Sequence, residues 1–218
     1  MIDTPAPNGY YPVALRVAGR RCVIVGGGAV AERKLRGLIE AGADTIVLIS
    51  PDVTENIRDM ALRGQLKWIN RNYEAGDLVG AWLVIASSSD GTVNKSIAAE
   101  AEELGILSNI ADDAQSGSYI TPAVVRRGDL LISVTASGAS PSLAKVLKKE
   151  LEAQYGDRYE RAVQKLRELR ELALQQVENE KKEAILRHAA EEVLDDHIAG
   201  LSARQWLDRL LAATRGGS

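Results

Sequence analysis

The first half of the chain alternates short apolar runs with segments whose apolar residues recur at steps of three and four. The runs predict strands over residues 21–25, 45–49, 66–69, 81–86 and 107–110. The segments between them predict helices, one opening near residue 29 and two more over residues 54–63 and 92–104. Residues 10–17 predict an edge strand or an extended arm. This alternation indicates an α/β domain built on a doubly wound parallel sheet.

Beyond residue 113 the chain leaves this rhythm for an antiparallel pair followed by a helix. Two strand-like runs, over residues 118–125 and 130–135, predict a hairpin. The next helix is predicted to have Ser140 as its N-cap and Pro141 at its first position, and to continue over residues 142–154. Such a helix start either is capped by its serine or holds an anion on its free N–H groups, and plain capping is the commoner outcome.

The last third of the chain is helical in composition. From Tyr159 onward, apolar residues recur at helical spacing among Glu, Lys and Arg, which predicts amphipathic helices with solvated charged faces. We therefore expect an α/β domain over residues 1–113, a hairpin-plus-helix segment over residues 114–150 and a helical domain over residues 151–218.

Three consecutive glycines join the first predicted strand to the first predicted helix in the pattern G-x-G-x-x-A. In such a motif Gly26 permits a tight turn, and Gly28 leaves room for a pyrophosphate to approach the backbone. Ala31 lets the helix pack closely on the strand, while the free N–H groups of the first turn, at Ala29 and Val30, face the anion. The motif alone is weak, but its place in a βαβ unit predicts a Rossmann-type dinucleotide-binding domain.

The acidic residue that usually holds the ribose hydroxyls of the dinucleotide is absent. At the end of the second strand Ser50 and Pro51 stand in its place, with Asp52 one step further. A hydroxyl and backbone groups can still hydrogen-bond a ribose. No arginine lies beside Ser50 to accept a 2′-phosphate, so we expect NAD rather than NADP.

Polar residues follow the fourth and fifth strands, at the edge where open α/β sheets bind ligands. The small residues from Ala86 and Ser87 onward can approach a nicotinamide ribose, cap the next helix, or do both. Asp112 comes just after the fifth strand, where a carboxylate beside a nicotinamide accepts a proton while hydride leaves the substrate. The alternative is that Asp112 or Asp113 only caps a loop, and composition by itself favours that role.

Composition and charge exclude several classes of function. The formal net charge of −3 gives no indication of nucleic-acid binding. The single Cys22 rules out a disulfide within the chain, and His188 and His197 lack a second ligand at metal spacing. Residues 1–9 are polar and proline-rich, unlike a signal peptide, and no apolar run is long enough to cross a bilayer. We expect a soluble cytoplasmic protein with no membrane or nucleic-acid partner and no metal site.

Several strings of residues together form a recognisable pattern. The most specific are Gly-Gly-Gly-Ala-Val-Ala-Glu-Arg-Lys at residues 26–34 and Ser-Gly-Ala-Ser-Pro at residues 137–141. Ser50 and Pro51, residues 109–112 and residues 119–123 accompany them. In these strings the chain resembles the precorrin-2 dehydrogenase family of sirohaem synthesis. The resemblance covers residues 10 to about 150 and is looser over the helical tail.

This resemblance implies NAD-dependent oxidation of precorrin-2 to sirohydrochlorin. It also implies a homodimer formed largely through the segment after the Rossmann part, and it places the family's functional aspartate at Asp112. Some family members also insert Fe²⁺ into the product. A bifunctional dehydrogenase and ferrochelatase is therefore an alternative, and a non-enzymatic NAD-sensing module is another.

Precorrin-2, the substrate that the resemblance implies, carries many carboxylates. A protein of negative net charge must bind them with local hydrogen-bond donors. The basic residues of the hairpin connection, the lysines of the next helix and the start of that helix at Ser140 supply these donors. The alternative is that some of these charges are solvated surface groups. The predicted substrate-binding residues are Asn109, Ser118, Arg126, Arg127, Ser137, Ser140 and Lys145.

Overall fold

The structure, a computed structural model, describes residues 9–215. It divides into two compact units, Met1–Thr121 and Pro122–Ser218. The predicted absence of an apolar leader concerns residues that, apart from Gly9, lie outside the described part of the chain. The three-way division expected from the sequence stays a prediction, since the hairpin and all the helices after it fall in the second unit.

A parallel sheet forms the centre of the first unit. Its five strands have the order β3-β2-β1-β4-β5. They are β1 (Arg21–Val25), β2 (Thr45–Ile49), β3 (Lys67–Ile69), β4 (Leu83–Ala86) and β5 (Leu107–Ile110). The chain runs to one side of β1 through β2 and β3 and then crosses to the other side through β4 and β5. This is the topological switch of a doubly wound sheet, and it confirms the predicted Rossmann-type fold.

The strand register brings four strand ends to one level. Val25 of β1 pairs with Ile49 of β2 on one side and with Ala86 of β4 on the other. Ala86 in turn pairs with Ile110 of β5. The residues that follow these strands therefore share one edge of the sheet, the carboxyl edge, where ligands bind in this fold.

Helices cover both faces of the sheet, as a parallel sheet requires. They are α1 (Ala29–Glu40), α2 (Glu55–Leu62) and α3 (Gly91–Glu103). Side chains of β1 alternate between the faces: Cys22 and Ile24 pack in the cluster that contains Leu35 of α1, whereas Val23 and Val25 pack in the cluster that contains Ile97 of α3. This double burial explains the continuous apolar runs of the sequence.

Two predicted strands differ from the observed ones. The run over residues 118–125 becomes a strand only at Ala123, because Ser118 and Tyr119 bond to β5 instead. The N–H of Ser108 donates to Ser118 Oγ over 2.8 Å, and the N–H of Tyr119 donates to the Ser108 carbonyl over 3.1 Å. Residues 10–17 form no strand, which leaves the arm interpretation.

The second unit combines a hairpin with a group of helices. Strands β6 (Ala123–Arg127) and β7 (Leu130–Val134) are antiparallel, as predicted. The helices are α4 (Pro141–Gln154), α5 (Arg158–Gln176), α6 (Asn179–Glu192), α7 (Asp196–Ala199) and α8 (Ala203–Arg215). Their core contains Leu169, Ile185, Ile198 and Trp206. Within residues 9–215, no helix combines the length and the apolar composition that crossing a bilayer requires.

Candidate active site

The first glycine of the turn is fixed by its backbone conformation and by the loop beside it. Gly26 has a φ of 112°, which side-chain-bearing residues rarely adopt. Its N–H donates to the Ile49 carbonyl over 2.9 Å. A Cβ at Gly26 would lie 2.4 Å from the carbonyl oxygen of Ser87. Only glycine lets the ends of β1 and β4 approach this closely.

Gly27 is required for a different contact, which the sequence did not indicate. A Cβ there would lie 1.9 Å from the carbonyl oxygen of Asp52. The Gly27 carbonyl accepts a 3.0 Å hydrogen bond from the N–H of Thr54. The loop after β2 is therefore packed directly against the glycine turn.

Gly28 and the start of α1 fit the predicted pyrophosphate site. A Cβ at Gly28 would have no atom within 4 Å, so the space above this residue is open. Gly28 is the N-cap of α1, and no side chain caps the helix. Ala29 and Val30 of the first turn are exposed. An uncapped helix N-terminus with open space before it suits the anionic centre of a dinucleotide.

Ser50 supports the loop after β2 from inside the protein. It is 8% exposed, and its hydroxyl donates a 2.6 Å hydrogen bond to the Asp52 carbonyl. Its own carbonyl accepts a hydrogen bond from the indole N–H of Trp68 over 2.9 Å. Pro51 and Asp52 are exposed, so they are the residues of this loop that face solvent.

Glu32, in the first turn of α1, connects that helix to the same loop. Its carboxylate accepts hydrogen bonds from Thr54 Oγ1 at 2.7 Å and from Asn56 Nδ2 at 2.9 Å. It also forms an ion pair with Arg36 at 2.8 Å. Hydrogen bonds from Arg36 and then Thr54 hold the pKa of Glu32 below its ordinary value. The carboxylate therefore stays ionised as a fixed anchor.

The end of β4 presents serines rather than Ala86 to the ligand edge. The Ala86 side chain is buried in the core, and its carbonyl accepts the N–H of Ala111 over 2.9 Å. Ser87 is half-buried, and its hydroxyl and N–H both donate to the Val25 carbonyl. Ser88 follows, with its N–H and carbonyl both bonded to the side chain of Asn94 on α3.

The two aspartates after β5 have different surroundings. Asp113 caps its own loop, since its carboxylate accepts from the N–H of Gln115 at 3.0 Å and from Ser116 Oγ at 2.6 Å. These bonds, with that of Ser116 the strongest, lower the pKa of Asp113. Asp112 is exposed and instead accepts a 2.9 Å hydrogen bond from Asn94 Nδ2. The capping alternative therefore describes Asp113, and Asp112 remains the candidate base.

Asn109 and Ser118, predicted to contact substrate, instead connect β5 with the segment around Ser118 and Tyr119. Asn109 is 4% exposed, and its Nδ2 donates to the Tyr119 carbonyl over 3.0 Å. Its Oδ1 is buried with no hydrogen-bond partner. The N–H of Ser108 donates to the Ser118 hydroxyl, and the N–H of Ser118 donates to the Ser108 hydroxyl. Both residues hold residues 117–119 along β5.

The remaining predicted substrate contacts lie in the second unit. Arg127 already binds residues of the second unit. Its Nη2 donates to the Glu152 carbonyl over 3.2 Å, and its Nε lies 3.6 Å from Asp157 Oδ1. Ser140 caps α4 by accepting the N–H of Leu143, as predicted. Ser137 has a φ of 51°, the one positive value among described residues other than glycine. Arg126 is half-buried, and Lys145 is exposed.

Comparison with known proteins agrees with this geometry. A family model described as "Putative NAD(P)-binding" matches residues 13–123, about half of the chain. The precorrin-2 dehydrogenase of Bacillus subtilis (strain 168) is 38% identical over 141 residues, which is 65% of this chain and 86% of that protein. The chain belongs to the precorrin-2 dehydrogenase family. The family suggested by the motif strings is thus confirmed, as is a nicotinamide dinucleotide as cofactor.

Longer proteins of this family match only in part. The siroheme synthase of Chromobacterium violaceum is 38% identical over 144 residues, 66% of this chain but 30% of that protein. The chain therefore spans about a third of the length of the siroheme synthases that it matches. The solved structure of SirC, precorrin-2 dehydrogenase, matches with a TM-score of 0.73 and 28% identity, over 93% of this chain and 100% of that one. The structural match therefore extends into the helical tail.

Proposed function

We propose that this chain oxidises precorrin-2 to sirohydrochlorin with NAD as cofactor. The observation that carries the proposal is the place of Asp112. An exposed carboxylate follows β5 at the same sheet edge as the open start of α1, in a chain whose shorter relative is named precorrin-2 dehydrogenase. Because the chain spans about a third of the siroheme synthases, the proposal covers this one step.

The reaction removes one hydride and one proton from the tetrapyrrole, which gains a double bond. Bound NAD supplies the hydride acceptor. The Asp112 carboxylate accepts the proton, and its exposure lets it pass that proton to solvent. The glycine turn and the first turn of α1 hold the pyrophosphate, so Gly26, Gly28, Ala29 and Val30 orient the cofactor.

NAD rather than NADP is the proposed cofactor because of the charges around the loop after β2. Asp52 is exposed there, and a carboxylate repels a 2′-phosphate. Arg36 of α1 is paired with Glu32, the carboxylate that accepts a hydrogen bond from Thr54 of this loop. A higher kcat/KM for NAD than for NADP is expected. A reaction that uses NAD also agrees with the cytoplasmic location proposed from the sequence.

A homodimer is proposed from the apolar surface of α4. None of the residues of α4 is buried, although several of them are apolar. Leu143 is 50% exposed, Val146 54% and Leu147 37%. Their spacing of three and four places them on one face of the helix. Leu131 of β7 is also exposed, at 42%. Exposed apolar side chains gathered on one helix face are typical of an interaction surface, and a second copy of the chain is the proposed occupant.

The candidate donors for the carboxylates of precorrin-2 differ in the hydrogen bonds and ion pairs that they already make. Lys145 is exposed and pairs with no acidic side chain among described residues, so it is the strongest candidate. Arg127 is already bonded to the C-terminal end of α4 and to Asp157, so it is the weakest. Arg126, Ser137 and Ser140 stand between the two.

An anaerobic assay tests this function. Purified protein mixed with precorrin-2 and NAD is expected to produce NADH together with the sirohydrochlorin absorption spectrum. A parallel sample of sirohydrochlorin with Fe²⁺ measures metal insertion against a protein-free control, which separates the bifunctional alternative. Binding of NAD without any oxidation of precorrin-2 would reject the proposal in favour of an NAD-sensing module.

A further inference from the structure

Asn94 is a buried amide in the middle of the candidate site, and the sequence predicted no role for it. It lies on α3 with 1% of its surface exposed. A buried amide is costly unless its hydrogen-bonding groups find partners. The partners of Asn94 come from the loop after β4 and from the segment after β5, two of the sheet's ligand-edge segments.

The hydrogen bonds of Asn94 fix the orientation of its amide. Its Oδ1 accepts from the N–H of Ser88 over 3.1 Å, while Nδ2 donates to the Ser88 carbonyl over 3.0 Å and to Asp112 Oδ1 over 2.9 Å. Exchange of the amide oxygen and nitrogen would set donor against donor at the Ser88 N–H and acceptor against acceptor at the other two contacts. Only one orientation therefore satisfies the site.

We infer that Asn94 is a positioning residue for the proposed reaction, which holds the Asp112 carboxylate in a fixed direction relative to the Ser87–Ser88 loop. The inference rests on the proposed function. Asp112 is exposed, so without this contact its side chain is free to rotate in solvent. With Oδ1 held by Asn94, the second oxygen, Oδ2, keeps its proton-accepting position. Gly91 lies beside this oxygen: a Cβ there would make an ordinary van der Waals contact with Oδ2, at 3.7 Å.

A purely structural role for Asn94 predicts something different. Its pairing with Ser88 also connects α3 to the end of β4, and loss of that pairing weakens the loop whatever Asp112 does. The two roles separate in a double-mutant cycle, because a residue that acts through Asp112 loses its effect when Asp112 is absent.

The cycle compares wild type, Asn94→Ala, Asp112→Ala and the double variant in the anaerobic precorrin-2 assay. We expect Asn94→Ala to lower kcat roughly tenfold to a hundredfold in the wild-type background, with a smaller change in KM for precorrin-2. In the Asp112→Ala background the same change is expected to lower the residual rate by less than about twofold. Ser96→Ala is the matched control, since Ser96 is an exposed residue of α3 whose hydroxyl donates to the Thr92 carbonyl within the same helix.

Two outcomes overturn the inference without touching the proposed function. One is an equal loss of kcat from Asn94→Ala in both backgrounds while wild type turns over; the other is a wild-type rate in Asn94→Ala. If Asn94→Ala does not fold, NMR of the Asn94 side-chain amide in wild type and in Asp112→Ala decides instead. A shift of those amide resonances in Asp112→Ala is expected, and unchanged resonances contradict the positioning role. Failure of wild type to oxidise precorrin-2 rejects the proposed function itself, and this inference with it.

Discussion

The α-carbon of Gly26 faces the carbonyl group of Ser87 so closely that an added Cβ would lie 2.4 Å from the oxygen. The turn after β1 and the loop after β4 are thus packed backbone against backbone. Gly27 lies even closer to the Asp52 carbonyl after β2, since a Cβ there would be 1.9 Å from its oxygen. The three loops of the ligand edge can pack this closely only because these two positions carry no side chain.

Gly26→Ala is expected to destabilise the protein as well as to weaken NAD binding. The substitution forces a side chain into a φ of 112° and into the Ser87 carbonyl. Strain of this kind costs about 2 kcal/mol or more in the free energy of unfolding. Urea denaturation followed by circular dichroism measures the loss. An unchanged unfolding midpoint would show that the two loops are not packed as described.

Gly28→Ala is the matched substitution, and it is expected to affect NAD binding more than stability. Its φ of −82° suits any residue, and the space around its Cβ is open. We expect the free energy of unfolding to change by less than about 1 kcal/mol. The Kd for NAD, measured by calorimetry, is expected to rise about tenfold or more, because the methyl group occupies the approach of the pyrophosphate. Unaltered NAD affinity would place the pyrophosphate elsewhere.

Asp112→Asn is expected to leave the fold intact and to slow the reaction. Asp112 is exposed, and asparagine keeps its shape and still accepts the hydrogen bond from Asn94. Loss of a general base lowers kcat on the order of 10²-fold or more. Steady-state kinetics with precorrin-2 measures this, with Asp113→Asn as the control, since Asp113 caps a loop. Equal activity of wild type and Asp112→Asn would exclude a proton-accepting role.

Lys34 on α1 predicts a pH-dependent stability. Burial, and secondly the charge of Arg33, lowers the pKa of Lys34 to about 8 from an ordinary 10.5. The native state therefore releases this proton before the unfolded state does, so the Lys34 contribution to stability improves as pH rises from about 8 to 10.5. Near neutral pH Lys34 is still charged in the folded protein, and burial of that charge lowers the stability of the fold relative to the unfolded state.

Lys34→Met is accordingly expected to raise the melting temperature at neutral pH. The advantage over wild type should shrink as the pH approaches 10.5. Thermal unfolding across this range measures the difference, and Lys67→Met on β3 serves as an exposed control. A difference between Lys34→Met and wild type that does not vary with pH would contradict the assigned cause.

Val146→Glu is expected to convert the proposed homodimer into monomers. Val146 is 54% exposed on α4, so a glutamate there is tolerated in the isolated chain but opposes apolar contact with a second copy. Light scattering coupled to gel filtration measures the mass. Leu62→Glu, at an 81% exposed position of α2, is the control and should remain dimeric. A dimer in both variants would remove α4 from the interface.

Much of the first unit can be predicted from the sequence, because its strands and its glycine turn are specified by residues close together in the chain. The apolar runs of β1 and β4 are buried on both faces, and each ends in the small or polar residues of a ligand edge. Periodicity and the glycine spacing therefore predict the sheet, the turn and the start of α1. The shortened β6 shows the limit, since Ser118 and Tyr119 have strand-like composition but bond to β5 ten residues back.

The contacts that complete the candidate site depend on residues far apart in the chain. Gly27 is set by Asp52, and Asn94 by Asp112, so neither pairing has a local signature. A weak signal for Asn94 did exist. It shares the buried face of α3 with Ile97 and Ala101, where an asparagine in a helix interior is unexpected. Arg127 illustrates the reverse case, since its charge suggested a ligand but its partners are within its own unit.

The ratio of NADH to sirohydrochlorin formed by the wild-type protein under anaerobic conditions tests the central claim most directly. Oxidation of precorrin-2 by hydride transfer to NAD predicts equal amounts of the two products, with no formation of either in the absence of protein. Sirohydrochlorin without matching NADH, or no turnover by protein that binds NAD, would contradict the account.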